Sequence, residues 1–167
     1  MNNYKAAVLT ISDKGSKGER VDTGGPLVKE LLEKEQIEVV GIEIIPDEKD
    51  MIKEKLISFS SNPEITLIMT TGGTGFAPRD VTPEATIEVC EKLVPGIPEA
   101  MRFESFKITK RAMLSRMAAG IRENTLIVNL PGSPKAIKEN LEAILPAIGH
   151  GMEMLVGIPR DCADDRK

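Results

Sequence analysis

One stretch of this sequence, a buried strand that leads into a glycine loop and then into a helix, constrains the fold more than any other. Residues 65–69 form a short apolar run that is typical of a buried strand. The glycines that follow, from Gly72 to Gly75, allow backbone turns and close ligand approach that a side chain would block. Thr82 is a preferred N-cap residue and Pro83 suits the first helical position, so we expect a helix to begin here.

The junction between this loop and this helix has the composition of a phosphate site. Backbone amides at a helix start favour an anion, and Asp80 supplies a carboxylate that suits magnesium. Two common phosphate motifs are excluded, because Pro78 stands where the dinucleotide fingerprint needs its third glycine and no Gly-Lys-Ser or Gly-Lys-Thr ends the loop. A glycine-rich connection that only turns the chain is the alternative. We favour a phosphate and magnesium site, because a chain turn alone needs neither the Arg79-Asp80 pair nor a capped helix after the loop.

Strands and helices alternate along the first half of the chain. Residues 6–11 and 37–45 have the apolar, β-branched composition of strands, and a helix begins at Pro26 between them. The alternation predicts an α/β fold with three layers, α/β/α, around a mostly parallel sheet. Ligands of such sheets bind beyond the carboxyl ends of the strands. Because the loops after the strands share that edge, we expect Asp47 and Asp80 to meet there.

The second half of the chain adds a short antiparallel hairpin and a long helix. Residues 118–122 and 125–130 are predicted as the two strands of the hairpin. The turn at residues 131–134 leads into a helix whose apolar residues recur at helical spacing and cover the sheet. We therefore expect one domain over residues 1–157, followed by a charged, frayed tail at residues 158–167.

Composition and charge narrow the function. The chain has 167 residues, the length of one domain, with a net charge of −4 and 3% aromatic residues. We expect no nucleic-acid and no membrane partner. Proteins that bind such partners usually have basic surfaces, and those that bind single-stranded nucleic acid also have aromatic rings for stacking. Cys90 and Cys162 lack metal-ligand spacing, which indicates reduced thiols. With no leader-like start and no run long enough to span a bilayer, we expect a cytoplasmic protein.

Four motifs across the chain carry a family resemblance. They are Thr71-Gly72-Gly73-Thr74-Gly75, Arg79-Asp80-Val81-Thr82-Pro83-Glu84-Ala85, Ile45-Pro46-Asp47 and Leu130-Pro131-Gly132-Ser133-Pro134. Together they resemble the molybdenum-cofactor biosynthesis proteins of the MogA/MoaB type, which are similar to a domain of animal gephyrin. The resemblance implies a molybdopterin adenylyltransferase, in which the terminal phosphate of molybdopterin attacks the α-phosphate of ATP and pyrophosphate leaves. It also implies a homotrimer and a downstream partner that inserts molybdenum.

The same resemblance implies which residues form the site. Asp47 and Asp80 would be the catalytic residues and would hold Mg²⁺. The implied substrate contacts are Ser105, Ser115, Asn129 and Pro131. The backbone amides of Gly72, Gly73, Thr74 and Gly75 are expected, on physical grounds, to add a cradle for the phosphates. Elementary chemistry agrees, since adenylyl transfer needs phosphates that are held in line and neutralised, and magnesium takes one or two carboxylates plus phosphates. We expect replacement of Asn129 to weaken pterin binding more than folding.

Several of these residues also have a structural alternative. Asp47 follows a proline and could cap the next helix. Asn129 could bond the backbone of the turn, and Ser105 and Ser115 could be hydroxyls on a helix surface. Arg79 could bind phosphate or pair with a neighbouring acid, and the phosphate interpretation is favoured.

Two other functions stay open on the sequence. A non-catalytic pterin carrier would keep the glycine loop and lose motif residues around it, whereas this chain retains Arg79, Asp80, Ser115, Arg116 and Asn129. A magnesium-dependent phosphohydrolase would need a base that activates water, and none is evident beyond the two aspartates. The polar loop after the first strand is a candidate for binding the nucleotide.

Overall fold

The computed structural model describes residues 4–157, with a six-stranded sheet at the centre. The strands are β1 (Lys5–Ile11), β2 (Glu38–Ile45), β3 (Ile65–Thr71), β4 (Lys92–Leu93), β5 (Ala119–Arg122) and β6 (Thr125–Leu130). Their order in the sheet is β2-β1-β3-β6-β5-β4. The first four in this order are parallel, while β5 pairs antiparallel with β6 and β4. The predicted mostly parallel α/β sheet with a short antiparallel hairpin is confirmed, and β4 is an addition to the prediction.

Helices cover both faces of the sheet and give the predicted three layers. They are α1 (Asp13–Ser16), α2 (Gly24–Lys34), α3 (Lys49–Ser60), α4 (Thr82–Val89), α5 (Gly96–Ile108), a 3₁₀ helix (Lys110–Leu114) and α6 (Pro134–Leu155). α2, α5 and α6 contribute Leu32, Met101 and Leu141 to one core, and α3 and α4 contribute Leu56 and Val89 to the other. β1 feeds both cores, because successive side chains of a strand point to opposite faces.

The parallel strands in the middle of the sheet are buried along their whole length. All seven residues of β3 and all six of β6 are buried, as expected for parallel strands with helices on both faces. β2 lies at an edge of the sheet, where Ile42 and Ile44 stay partly exposed. This strand order places the carboxyl ends of β1, β2, β3 and β6 along one edge, and the loops that follow them gather there.

The start of α4 differs from the sequence prediction. Thr82 is the first residue of the helix and Val81 precedes it without a side-chain cap, so the prediction that Thr82 is the N-cap is wrong. The backbone amide of Thr82 donates to the carbonyl oxygen of Gly73 at 3.2 Å, which holds Thr82 inside the first turn. Its hydroxyl oxygen is buried and has no hydrogen-bond partner among the residues described.

The polar loop predicted after β1 contains α1 and the first residues of α2. Asp22 shapes the start of α2, since its Oδ1 accepts hydrogen bonds from the amides of Gly24 and Gly25 at 3.0 and 3.1 Å. Its Oδ2 accepts from Thr10 Oγ1 at 2.8 Å, which ties this segment to β1. α2 therefore begins at Gly24, earlier than the predicted start at Pro26.

The chain ends its described part in α6, which spans 22 residues and contains Pro146. Its apolar stripe is buried against the sheet as predicted, and the helix ends just before Gly157. The predicted charged tail at residues 158–167, with Cys162, lies outside the described residues. Within residues 4–157, none of the helices has both the length and the apolar character needed to cross a membrane.

Candidate functional site

A cleft of about 610 Å³ opens at the carboxyl edge of the sheet. Its walls come from the loops after β1, β2 and β3 and from the turn after β6. Lining residues include Asp22, Asp47, Gly72, Gly73 and Ser133. The segment after β1, which the sequence suggests for the nucleotide, therefore forms one side of the cleft. Open α/β sheets bind their ligands at this edge.

The glycine loop after β3 lies directly against its neighbours. Gly72 and Gly73 have φ angles of +98° and +64°, which residues with a side chain rarely adopt. A Cβ on Gly72 would collide with the carbonyl oxygen of Ile11. A Cβ on Gly73 would collide with the Thr82 hydroxyl and would lie 3.2 Å from Asp47 Oδ1. Glycine thus lets the loop backbone approach both the end of β1 and the Asp47 carboxylate.

Asp47 and Asp13 hold each other through a reciprocal pair of hydrogen bonds. The amide of Asp13 donates to Asp47 Oδ2 at 2.8 Å, and the amide of Asp47 donates to Asp13 Oδ1 at 3.1 Å. Partial burial raises the pKa of Asp47; the bond from Asp13 opposes this shift, and the charges of Asp13 and Asp80 add to it. Glu48 is the residue that precedes α3, and Asp47 makes no bond to that helix. The helix-cap alternative for Asp47 is therefore wrong.

Asp80 lies on the other side of the glycine loop. Its Oδ2 accepts a hydrogen bond from the amide of Ala77 at 2.8 Å, and a Cβ on Gly75 would lie 2.8 Å from the same oxygen. The charge of Asp80 contributes to the raised pKa of Asp47, so the two carboxylates interact electrostatically. The structure therefore brings Asp47 and Asp80 to the same loop, beside the backbone amides that begin at Gly72.

Arg79 pairs with acidic side chains in this structure. Its Nε and Nη2 donate to Asp13 Oδ2 and Oδ1 at 2.5 and 2.9 Å, and Nη2 also donates to Glu48 Oε1 at 2.7 Å. The guanidinium holds the pKa of the Asp13 carboxyl below its usual range. The acid-pairing alternative for Arg79 is thus the one observed. Sequence analysis did not single out Asp13, although it follows β1 at the same spacing at which Asp47 follows β2.

Arg116, one of the retained motif residues, supports the glycine loop through several hydrogen bonds that its sequence position does not predict. Its backbone amide donates to the carbonyl oxygen of Thr74 at 3.0 Å, and Thr74 is itself buried. Its Nε and Nη2 donate to the carbonyl oxygens of Gly75 and Asp80 at 2.7 and 2.6 Å, and Nη1 pairs with Glu84. The planar guanidinium therefore ties both ends of the loop to the start of α4.

A second, smaller pocket of about 190 Å³ contains three of the predicted substrate contacts. Ser105 of α5, Ser115 and Pro131 line it. The hydroxyl oxygens of Ser105 and Ser115 are buried and have no hydrogen-bond partner within the described part of the chain. The helix-surface alternative for these two serines is therefore wrong, because a surface hydroxyl would be solvated.

The turn after β6 connects the two cavities. Pro131 lines the small pocket, whereas Gly132 and Ser133 line the cleft. Thr71 Oγ1 donates to the carbonyl oxygen of Pro131 at 2.9 Å, which ties the turn to the end of β3. Gly132 packs against Gly72, since a Cβ on Gly132 would lie 3.5 Å from Gly72 Cα. The two cavities therefore lie on either side of this one turn.

Asn129 is not available to a ligand, which corrects the sequence prediction. It is fully buried, and its Nδ2 donates to Thr70 Oγ1 and Thr86 Oγ1 at 3.0 and 2.8 Å. Its Oδ1 accepts from the amide of Ala118 at 3.2 Å. Asn129 thus ties β6 to β3, to α4 and to the segment before β5. Its place at the end of a strand misled the prediction, because strand side chains point to the faces of a sheet and not along its edge.

The chemistry of the two aspartates fits magnesium. Asp47 and Asp80 each use one carboxylate oxygen for a backbone amide, and the other oxygen has no protein donor within residues 4–157. Magnesium usually takes one or two carboxylates and completes its shell with phosphates and water. The same residues contain no group of three or more His, Cys, Asp or Glu side chains that could hold a metal ion. A cation here would take its remaining ligands from phosphate or water.

Comparisons with known proteins identify the family. Residues 7–150 match the family described as "Probable molybdopterin binding domain". The chain is 44% identical over 159 residues to the molybdopterin adenylyltransferase of Helicobacter pylori strain J99. This alignment covers 94% of this chain and 90% of that protein. It is also 44% identical over 157 residues to the molybdenum cofactor synthesis protein cinnamon of Drosophila melanogaster. That alignment covers 93% of this chain and 26% of the Drosophila protein.

A solved structure agrees with these sequence relatives. The molybdopterin biosynthesis enzyme MoaB of Thermus thermophilus superposes with a TM-score of 0.88 at 46% identity and covers 95% of this chain and 99% of that one. The match therefore extends over nearly the whole chain. The chain belongs to the molybdopterin-binding domain family of molybdenum-cofactor biosynthesis proteins.

Proposed function

We propose that this protein is a molybdopterin adenylyltransferase, which transfers AMP from ATP to the terminal phosphate of molybdopterin and releases pyrophosphate. A relative with this name matches 94% of the chain. The observation that carries the proposal is the position of Asp47 and Asp80 beside one glycine loop, next to a pocket lined by serines with unpartnered hydroxyls. Such a site can hold phosphates in one cavity and a polar ring in the other.

The two adjoining cavities suit the two substrates. The pterin ring belongs in the small pocket, because the hydroxyls of Ser105 and Ser115 can each donate and accept hydrogen bonds. ATP belongs in the larger cleft, where the glycine-loop amides and the starts of α2 and α6 favour phosphates. The terminal phosphate of molybdopterin then reaches across the turn at Pro131 to meet the nucleotide.

The reaction asks for positioning and charge neutralisation. An oxygen of the molybdopterin phosphate attacks the α-phosphorus of ATP, a new P–O bond forms, and the bond to pyrophosphate breaks. The attacking phosphate is already anionic, so no side chain has to remove a proton. The amides from Gly72 to Gly75 hold the phosphates in place as charge shifts to the leaving group. Asp47 and Asp80 would hold Mg²⁺, which would supply positive charge to the phosphates.

The proposal extends to partners and location. ATP is the co-substrate, Mg²⁺ is the cofactor, and the protein acts as a homotrimer in the cytoplasm. A molybdenum-inserting enzyme is the partner that takes up the product. One observation favours such a partner: the chain covers only 26% of the Drosophila relative, so that protein carries this domain together with a large further part.

Incubation of the purified protein with molybdopterin, ATP and Mg²⁺ tests the function. We expect adenylyl-molybdopterin and pyrophosphate to form in equal amounts and only when all three components are present. Molybdopterin binding without product would identify a pterin carrier. Release of phosphate from ATP in the absence of molybdopterin would identify a phosphohydrolase.

A further inference from the structure

A buried asparagine on α6 borders the small pocket with half of its amide unused. Asn140 is 2% exposed and lines the pocket. Its Nδ2 donates to the carbonyl oxygen of Ala136 at 2.7 Å, whereas its Oδ1 is buried and has no partner among the described residues. The amide orientation follows from this bond, because only the NH₂ end can donate to a carbonyl oxygen. Asn140 Oδ1 is therefore a buried hydrogen-bond acceptor that receives no hydrogen bond from the described residues.

Three unpartnered polar atoms belong to residues that line this one pocket. Besides Asn140 Oδ1, they are the hydroxyl oxygens of Ser105 and Ser115. The three residues come from α6, from α5 and from the segment after the 3₁₀ helix, so local sequence does not explain why they meet. Buried polar groups are nearly always hydrogen-bonded, and an unpaired one destabilises the fold. The cluster therefore indicates a ligand that supplies the missing partners.

The chemistry of the cluster selects a flat ring with an amino group. Asn140 Oδ1 can only accept a hydrogen bond, whereas the serine hydroxyls can also donate. Met117 and Pro131 add apolar surface to the walls, which suits the faces of a planar ring. A volume of about 190 Å³ is suited to a two-ring heterocycle and is too small for a whole nucleotide.

We propose that Asn140 is a specificity-determining residue that accepts a hydrogen bond from the exocyclic 2-amino group of the pterin ring. The inference rests on the proposed function, which assigns the pterin to this pocket. The amino group projects beyond the ring edge. Among the donors of the ring, it is therefore the one that can reach the buried Oδ1 of Asn140. A ring with an oxygen in place of the amino group would bring two acceptors face to face.

The variant Asn140→Ala tests this inference, because alanine removes the acceptor and cannot block the pocket. Asn129→Ala is the matched control, since Asn129 is also a buried asparagine but has a fully paired amide. We expect Asn140→Ala to weaken molybdopterin binding about tenfold with little change in melting temperature. Asn129→Ala should do the reverse, with a melting temperature lowered by several degrees and nearly unchanged affinity.

Two ring probes add a readout that does not depend on the stability of a variant. 6-Hydroxymethylpterin carries the amino group, and 6-hydroxymethyllumazine carries an oxygen in its place. The wild-type protein should bind the pterin more tightly, and Asn140→Ala should lose most of this preference. Equal binding of both rings by the wild type would overturn the inference even if the variant failed to fold. An unchanged preference in Asn140→Ala would also overturn it, and a buried water would then be the partner of Oδ1.

Failure of the proposed function would look different from failure of this inference. A wild-type protein that bound neither molybdopterin nor the pterin probe would remove both. Normal adenylyl transfer, combined with equal molybdopterin affinity in wild type and Asn140→Ala, would remove the role of Asn140 and leave the enzyme assignment in place.

Discussion

At the scale of single residues, the surroundings of Asp47 disfavour its negative charge. Partial burial and the charges of Asp13 and Asp80 all raise its pKa. The charge of Arg79, which pairs with Asp13 and Glu48, lowers this pKa and offsets part of the rise. A cation bound with phosphate would reverse the balance, because a nearby positive charge favours the ionised carboxylate. Asp47 is therefore suited to a site that is completed only when substrate arrives.

The first prediction concerns this pair of carboxylates. Asp47→Asn and Asp80→Asn should each slow adenylyl transfer on the order of a hundredfold or more, because they remove the carboxylates that would hold Mg²⁺, whose positive charge would stabilise the departing pyrophosphate. Molybdopterin binding should stay nearly intact, since the pocket proposed for the pterin is the other cavity. The turnover rate at saturating Mg²⁺ and the molybdopterin affinity are the quantities to measure.

Asp50→Asn is the control for these variants. Asp50 is an exposed aspartate in the first turn of α3, close in sequence to Asp47 but outside the cleft lining. It should transfer adenylyl groups at the wild-type rate. Wild-type turnover by both Asp47→Asn and Asp80→Asn would contradict the two-aspartate magnesium site.

The raised pKa of Asp47 also predicts how stability changes with pH. Above the ordinary value of 3.8, the folded protein keeps the proton on Asp47 at pH values where the unfolded chain has lost it. The contribution of Asp47 to the free energy of unfolding therefore falls as pH rises through this window, until the folded pKa is passed. Asp47→Asn lacks this group, so its melting temperature should rise relative to wild type as the pH increases above the ordinary value of 3.8 without Mg²⁺. Parallel melting curves over that range would argue against a raised pKa.

At the scale of secondary-structure elements, the glycine loop is held by groups that lie far from it in sequence. Arg116 bonds the carbonyl oxygens of Thr74, Gly75 and Asp80, and the turn after β6 packs against Gly72. The loop backbone is thus placed before any phosphate binds. A preorganised cradle of this kind lowers the cost of aligning two phosphates.

Arg116→Lys tests how much this support contributes. A lysine ammonium keeps the charge but cannot reproduce the planar contacts of the guanidinium to Gly75 and Asp80. The transfer rate should fall about tenfold to a hundredfold, and molybdopterin affinity should change less than the rate. Arg122→Lys is the control, since Arg122 Nη1 donates to the carbonyl oxygen of Val89 and lies outside the cleft lining. Equal rates for the two variants would show that Arg116 does not position the loop.

At the scale of the whole molecule, the strand order decides the shape of the site. β1 and β3 are neighbours, and β2 and β6 lie on either side of them. Their four parallel ends therefore deliver four loops to one edge, and α5 and α6 form the pocket beside it. Both substrates can meet without crossing the sheet.

Assembly is the prediction that belongs to this scale. The family resemblance implies a homotrimer, and Phe103 of α5 and Met154 of α6 are 66% and 60% exposed, which gives these helices apolar surface for contact. Light scattering at micromolar concentration should give the mass of three chains. The mass of a single chain under the same conditions would contradict the prediction.

The amino-acid sequence by itself determined the elements and the edge at which the site forms. Residues 65–69 form a strand, the glycines after them form a loop, and a hairpin follows in the second half, because these features depend on local apolar pattern and backbone preference. The meeting of Asp47 and Asp80 was also predictable, since parallel strands end at a common edge.

Only the tertiary structure decided which polar groups have partners. Asn129 is fully paired and Asn140 is half paired, although both are buried asparagines. Arg79 meets Asp13 across 66 positions of sequence, and Arg116 reaches the glycine loop from 41 positions away. Such distances follow from the order of the strands and the packing of the helices. A local stretch of sequence carries no information about them, because hydrogen-bond geometry is set by atoms that come together only in the folded chain.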